Sequence, residues 1–102
     1  MEPGSYYHIY NRGNNQEVIF REDGNYRFFL QRYKKYLSSS VTTYAYCLMS
    51  NHFHFLDRIN DEPQLQQVSS GKLTCVEKAF RDFFISYAKS FNKRYGRTGS
   101  LF

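Results

Sequence analysis

The chain has 102 residues, enough for one domain with a single two-layer core. Fourteen Lys and Arg against nine Asp and Glu give a formal net charge of +5, and ten Tyr with ten Phe make the chain unusually aromatic. This composition favours a polyanionic partner such as nucleic acid, although a basic protein without one can share it. No apolar run approaches the roughly 20 residues of a membrane span.

The first half of the chain predicts a strand, a turn and a helix. Residues 6–10 alternate in the manner of a strand, and residues 11–15 form a flexible polar turn. Apolar residues then recur at helical spacing over residues 26–37, with Asp23 or Asn25 as the cap at the start of the helix.

The second half predicts a hairpin, a polar loop and a long helix. Val41–Met49 and residues 52–56 form antiparallel strands, and residues 61–72 form the loop. The buried face of the last helix, which Gly96 ends, is marked by Phe80, Phe83, Phe84, Tyr87 and Phe91. The β-α-β-β-α order predicts an α+β fold, a ferredoxin-like split β-α-β sandwich with an antiparallel sheet, cut before its last strand. Such a cut leaves an open sheet edge.

His52 and His54 are the sharpest chemical feature. Residues i and i+2 of a strand point to the same face, so the two imidazoles lie side by side. Two neutral imidazoles are good ligands for a divalent metal. The alternative is a pair of solvent-facing histidines with no ligand.

The tyrosines raise the question of a nucleophile, because a phenol can attack a phosphodiester when a metal polarises the phosphate. Tyr87 is the candidate on the long helix, but it falls within the apolar stripe, which favours core packing. None of the other tyrosines stands out from its sequence position.

Two basic segments predict contacts with phosphates and with unpaired bases. One follows the first strand and the other ends the long helix, and either could equally be solvated surface. The candidate DNA-binding residues are Asn11, Arg12, Asn14, Lys93, Arg94 and Arg97.

Three segments carry a family resemblance: YYHIYNRGNN, TYAYCLMSNHFHFL and SYAKSFNKRYGRTGSLF. In this order they resemble the single-tyrosine HUH transposases, in particular the REP-associated (IS200-like) group, over nearly the whole chain. The middle segment is the specific one, because two strands, a turn and a His-hydrophobic-His sequence form the metal motif of that family.

The resemblance implies a ferredoxin-like core, a homodimer and a divalent metal, Mg²⁺ or Mn²⁺, held by His52 and His54. It implies cleavage and rejoining of single-stranded or hairpin DNA through a phosphotyrosine, with the two histidines polarising the scissile phosphate. Arg12 would contact DNA, and Asn51 would shape the turn or orient the site.

The nucleophilic tyrosine of the family lies on a helix downstream of the segment that matches RYGRTGSLF, whereas this chain ends at Phe102. Tyr87 matches a tyrosine of the preceding helix. We therefore expect this chain to bind metal poorly and not to nick DNA alone.

Two other functions remain open on the sequence. One is a non-catalytic module that binds single-stranded or hairpin DNA. The other is an RNA-binding ferredoxin-like domain, which needs stacking aromatics on exposed central strands and has no need of paired imidazoles. Cys47 and Cys75 have no metal spacing, and with no export signal they predict free thiols and a cytoplasmic location.

Overall fold

The computed structural model describes residues 1–61 and 75–102. Its elements are β1 Tyr6–Arg12, a short 3-10 helix Asn14–Gln16, α1 Asp23–Leu37, β2 Val41–Met49, β3 His52–Ile59 and α2 Cys75–Tyr95. The predicted β-α-β-β-α order is confirmed. The loop predicted over residues 61–72 lies, apart from Asp61, outside the described residues. Neither α1 nor α2 has the length and apolarity needed to cross a bilayer.

The three strands form one antiparallel sheet in the order β1-β3-β2, with β3 in the centre. Both helices pack on one face of this sheet. Phe29 of α1 joins them to it, since its ring lies 5.0 Å from Phe53 of β3 and 4.9 Å from Phe83 of α2. The architecture is α+β and compatible with a split β-α-β sandwich. Within the described ranges, no further strand pairs with β1.

Alternation along β3 decides which side chains reach the core. Phe53, Phe55 and Ile59 are almost fully buried beneath the helices, whereas His52 and His54 point to the opposite face and remain partly exposed. The predicted placement of the two histidines on one face is therefore confirmed. The buried rings of Phe53 and Phe55 hold β3 in the register that presents His52 and His54 on the opposite face.

The boundaries differ from the prediction at three places, and one of them is the end of β3, which was predicted at residue 56 and lies at Ile59. β1 continues through Asn11 and Arg12, which were assigned to a turn, because they pair with the first two residues of β3. The cap of α1 is Glu22, whose side chain accepts the backbone N–H of Asn25, while the Asn25 side chain accepts the N–H of Glu22. Neither Asp23 nor Asn25 is the capping residue, although Asn25 completes the capping box.

The C-terminal tail folds back onto the loop after β1. Gly96 ends α2 with a positive φ of 59°, as its sequence position predicts. Leu101 is buried, and its carbonyl accepts the backbone N–H of Asn14 at 2.8 Å. The guanidinium of Arg97 forms an ion pair with Glu17. The tail thereby fixes the loop that follows Arg12.

Candidate metal centre and nucleic-acid interface

The sheet face opposite the helices, called the open face below, carries the predicted metal ligands. Register places Tyr10, His54 and Cys47 in one row across β1, β3 and β2. The next row contains Arg12, His52 and Met49. The remaining paired strand positions on this face are Tyr6, His8, Thr42, Ala45, Leu56 and Arg58. Two imidazoles and a guanidinium therefore share one surface.

Asn51 controls which nitrogen of His52 is free. The Oδ1 atom of Asn51 lies 2.8 Å from Nδ1 of His52. Because a carbonyl oxygen only accepts, Nδ1 of His52 carries the hydrogen, and its Nε2 retains a lone pair. Asn51 sits in the turn between β2 and β3, so the hairpin itself positions this orienting contact.

His8 is a third imidazole at the site, and the sequence analysis missed it. Its Nε2 atom lies 2.7 Å from Nδ1 of His54, and the two rings stack with centroids 4.9 Å apart at 21°. The signal that could have found it is the alternation in YYHIY, which puts Tyr6, His8 and Tyr10 on one face of β1. Knowledge of the pairing with β3 is needed to bring His8 to His54.

The electrostatics of the open face favour the uncharged form of His54. Desolvation lowers the pKa of His54, and the nearby charges of His8, His52 and Arg12 lower it further. A neutral imidazole offers a lone pair to a cation without repelling it.

The spacing of the two imidazoles is compatible with one shared divalent ion. The rings of His52 and His54 lie 5.2 Å apart, centroid to centroid, and are nearly perpendicular at 85°. That separation is close to the roughly 5 Å expected of two imidazoles that each reach one ion at about 2.1 Å. Across residues 1–61 and 75–102, no three His, Cys, Asp or Glu side chains are already arranged around one point. The described residues therefore offer two imidazoles to an ion at this site.

Exposed tyrosines flank the histidines. Tyr10 is 60% exposed, and its ring lies 6.0 Å from that of His54. Farther along the sheet, Tyr6 and Tyr44 lie with their rings 5.5 Å apart. Tyr44 reaches the open face because the β2 register shifts between Thr43 and Ala45, which changes the alternation. Such rings are suited to stacking on unpaired bases.

The residues predicted to bind DNA after β1 divide between the strand and the loop. Arg12 is exposed on the open face opposite His52. Asn11 occupies the alternate strand position, and its Oδ1 atom accepts the backbone N–H of Arg12 at 2.9 Å. Asn14 is exposed in the 3-10 helix. Of the three, the structure brings Arg12 to the histidines.

The basic residues predicted to bind DNA at the end of α2 differ in their exposure and in their ion pairs. Lys93 is exposed. Arg94 binds Glu22 with a distance of 2.7 Å between Nε and Oε1. Arg97, with a side chain only 15% exposed, also donates to the carbonyls of Gly99 and Ser100. Its guanidinium is therefore engaged in holding the tail, unlike that of Arg12.

Tyr87 lies in the core on the helix side of the sheet. It is 1% exposed, and its hydroxyl donates to the backbone carbonyl of Ile19 at 2.5 Å. Burial raises the pKa of this phenol, which disfavours the phenolate. The structure does not bring Tyr87 together with His52 and His54, because the sheet lies between them.

Comparisons of this chain with protein-family models, with curated proteins and with solved structures find no match.

Proposed function

We propose that this chain is a transposase-type DNA-binding domain that holds Mg²⁺ or Mn²⁺ on His52 and His54 and binds single-stranded or hairpin DNA on the open face. One observation carries the proposal: a pair of imidazoles, the exposed ring of Tyr10 and the exposed side chain of Arg12 occupy adjacent positions of one surface. A ferredoxin-like core and a homodimer belong to the same proposal. So does DNA cleavage and rejoining through a phosphotyrosine, a step in which we expect this chain to be inactive on its own, since Tyr87 is buried on the helix side of the sheet.

Each residue has a physical part in this function. Arg12 neutralises a phosphate beside the histidines, and Tyr10 stacks on a neighbouring base. Asn51 keeps Nε2 of His52 free for the ion. A bound divalent ion would polarise a DNA phosphate and make it more susceptible to attack.

A second candidate, a non-catalytic DNA-binding module, is favoured by the position of Tyr87. A phenol buried against Ile19 on the helix side cannot reach a phosphate at the histidines without local unfolding. The RNA-binding alternative has less support, because β3, the central strand, presents imidazoles to the open face. The exposed rings of Tyr6 and Tyr10 lie on β1 instead.

The deciding experiment incubates the chain with labelled hairpin DNA and Mn²⁺, and scores both affinity and covalent protein–DNA adducts. The variant His52→Ala/His54→Ala should lose Mn²⁺ binding, followed by the electron paramagnetic resonance of the free ion. A covalent adduct would identify a nucleophilic tyrosine within this chain. DNA binding without an adduct is the expected result, and Mn²⁺ binding then separates the transposase-type domain from a module that binds DNA without a metal. Unchanged Mn²⁺ affinity in the double variant would refute the metal site.

The DNA surface has a matched pair of tyrosines as its own control. Tyr10 and Tyr46 are 60% and 58% exposed, but Tyr46 pairs with Phe55 and therefore faces the helix side. Tyr10→Ala should weaken binding of single-stranded DNA by roughly tenfold, the effect of losing about one stacked base. Tyr46→Ala should leave the affinity unchanged. Equal losses in the two variants would argue against the open face.

A further inference from the structure

We infer that His8 is a positioning residue that accepts the Nδ1 hydrogen of His54 and so keeps Nε2 of His54 free for a divalent ion. This inference rests on the proposed metal function and adds a residue to it. His8 reaches His54 from the neighbouring strand, as a diagonal partner, because Leu56 lies directly opposite His8 and Tyr10 opposite His54.

The 2.7 Å contact between Nε2 of His8 and Nδ1 of His54 requires one hydrogen between the two nitrogens. If His8 donates it, neutral His54 must carry its hydrogen on Nε2, where it blocks coordination. If His54 donates it, Nε2 of His54 has a free lone pair. Only the second arrangement lets both members of the His52–His54 pair bind an ion through Nε2.

His52 already follows this pattern. Its Nδ1 hydrogen is taken by Asn51, which leaves Nε2 free. His8 would do for His54 what Asn51 does for His52, with an imidazole nitrogen in place of an amide oxygen. Acceptors of this kind fix the tautomer and ring orientation of metal-binding histidines, and their loss typically costs 10–100-fold in metal affinity.

The His8→Phe variant separates the hydrogen bond from the packing. Phenylalanine can keep the ring stacked on His54, as the 4.9 Å and 21° geometry requires, but it offers no nitrogen. The first readout is the tautomer of His54 in the metal-free protein, from two-bond ¹H–¹⁵N correlations at about pH 8, where imidazoles are neutral. We expect the Nδ1–H form in the wild-type chain and a shift toward Nε2–H in His8→Phe.

The second readout is Mn²⁺ affinity, which should fall roughly 10–100-fold in His8→Phe. Recovery in His8→Gln, whose side-chain oxygen can accept the same hydrogen, would support the role. If His8→Phe does not fold, the wild-type tautomer and His8→Gln decide the matter.

Two results would overturn the inference: an Nε2–H tautomer of His54 in the wild-type chain, or an unchanged tautomer in folded His8→Phe. Failure of the wild-type chain to bind Mn²⁺ would instead refute the proposed function. The tautomer of the metal-free protein would still decide whether His8 positions His54, so the two failures are distinguishable.

Discussion

Gly13 is the position at which one added methyl group should most clearly damage the fold. A Cβ atom there would lie 2.0 Å from the carbonyl oxygen of Glu17, 2.9 Å from its carbonyl carbon and 3.1 Å from Cγ2 of Ile19. The first two atoms belong to the backbone and cannot rotate away. The loop after β1 must therefore open by about 1 Å to accept alanine, since carbon–oxygen contacts rarely fall far below 3 Å.

The size of the effect follows from what that opening breaks. The N–H of Gly13 donates to the carbonyl of Asn51 at 2.9 Å, and the next N–H, of Asn14, donates to Leu101 at 2.8 Å. Each backbone hydrogen bond contributes about 1 kcal/mol, and a buried group left unpaired costs more. We expect Gly13→Ala to lower the free energy of unfolding by about 2–3 kcal/mol, and the midpoint of thermal unfolding by roughly 10 °C.

Urea and thermal unfolding, followed by circular dichroism, measure this directly, with Gly24→Ala as the control. Gly24 lies in the first turn of α1 with no heavy atom within 4 Å of a Cβ atom. Alanine there should raise stability by about 0.5–1 kcal/mol, because it lowers the entropy of the unfolded chain. A Gly13→Ala variant within about 0.5 kcal/mol of the wild-type chain would refute the steric argument.

Three further outcomes are expected. Tyr87→Phe should lower the free energy of unfolding by about 1 kcal/mol through the lost hydrogen bond to Ile19, and DNA affinity should be unchanged. If the wild-type chain formed a covalent DNA adduct and this variant did not, the placement of Tyr87 away from His52 and His54 would be contradicted. Arg12→Ala should weaken DNA binding and reduce its salt dependence by about one phosphate contact, because this side chain is exposed on the open face. Arg97→Ala should instead lower the free energy of unfolding by about 2 kcal/mol, because its guanidinium is paired with Glu17. DNA titrations at several salt concentrations and urea unfolding measure the two effects, and the reverse pattern would overturn the assignment. Burial raises the pKa of the Asp57 carboxyl, so its contribution to stability is full below about pH 4 and is lost as the pH rises through the folded-state pKa. Asp57→Asn should therefore reduce the decline of the free energy of unfolding as the pH rises above about 4. An unchanged pH profile of urea unfolding would argue against the raised pKa.

Local patterning was sufficient to predict the order of the elements and the sheet face that carries His52 and His54. β2 was predicted with its observed bounds, because its β-branched and aromatic run is continuous. The shared direction of His52 and His54 follows from the period of a strand alone. The burial of Tyr87 agrees with its place in the apolar stripe of α2.

Features that depend on pairing between distant segments could not be predicted in this way. The contact of His8 with His54 joins residues 46 positions apart and depends on the register of β1 against β3. The engagement of Arg97 with Glu17 spans 80 positions, so local sequence makes that arginine resemble a free DNA contact. The end of β1 was placed too early for the same reason, because Asn11 becomes strand only through its partner on β3.

The attachment of the tail to the loop after β1 has a consequence for how this chain folds. The hydrogen bond from Asn14 to Leu101 closes a loop of nearly the whole described chain, and the Arg97–Glu17 pair closes one almost as long. Loop-closure entropy opposes such contacts until much of the intervening chain is structured, so we expect them to form late on the folding pathway. The loop after β1, which holds Asn14 and Glu17, would then reach its final position only in the last steps, after the β2–β3 hairpin that bears the two histidines.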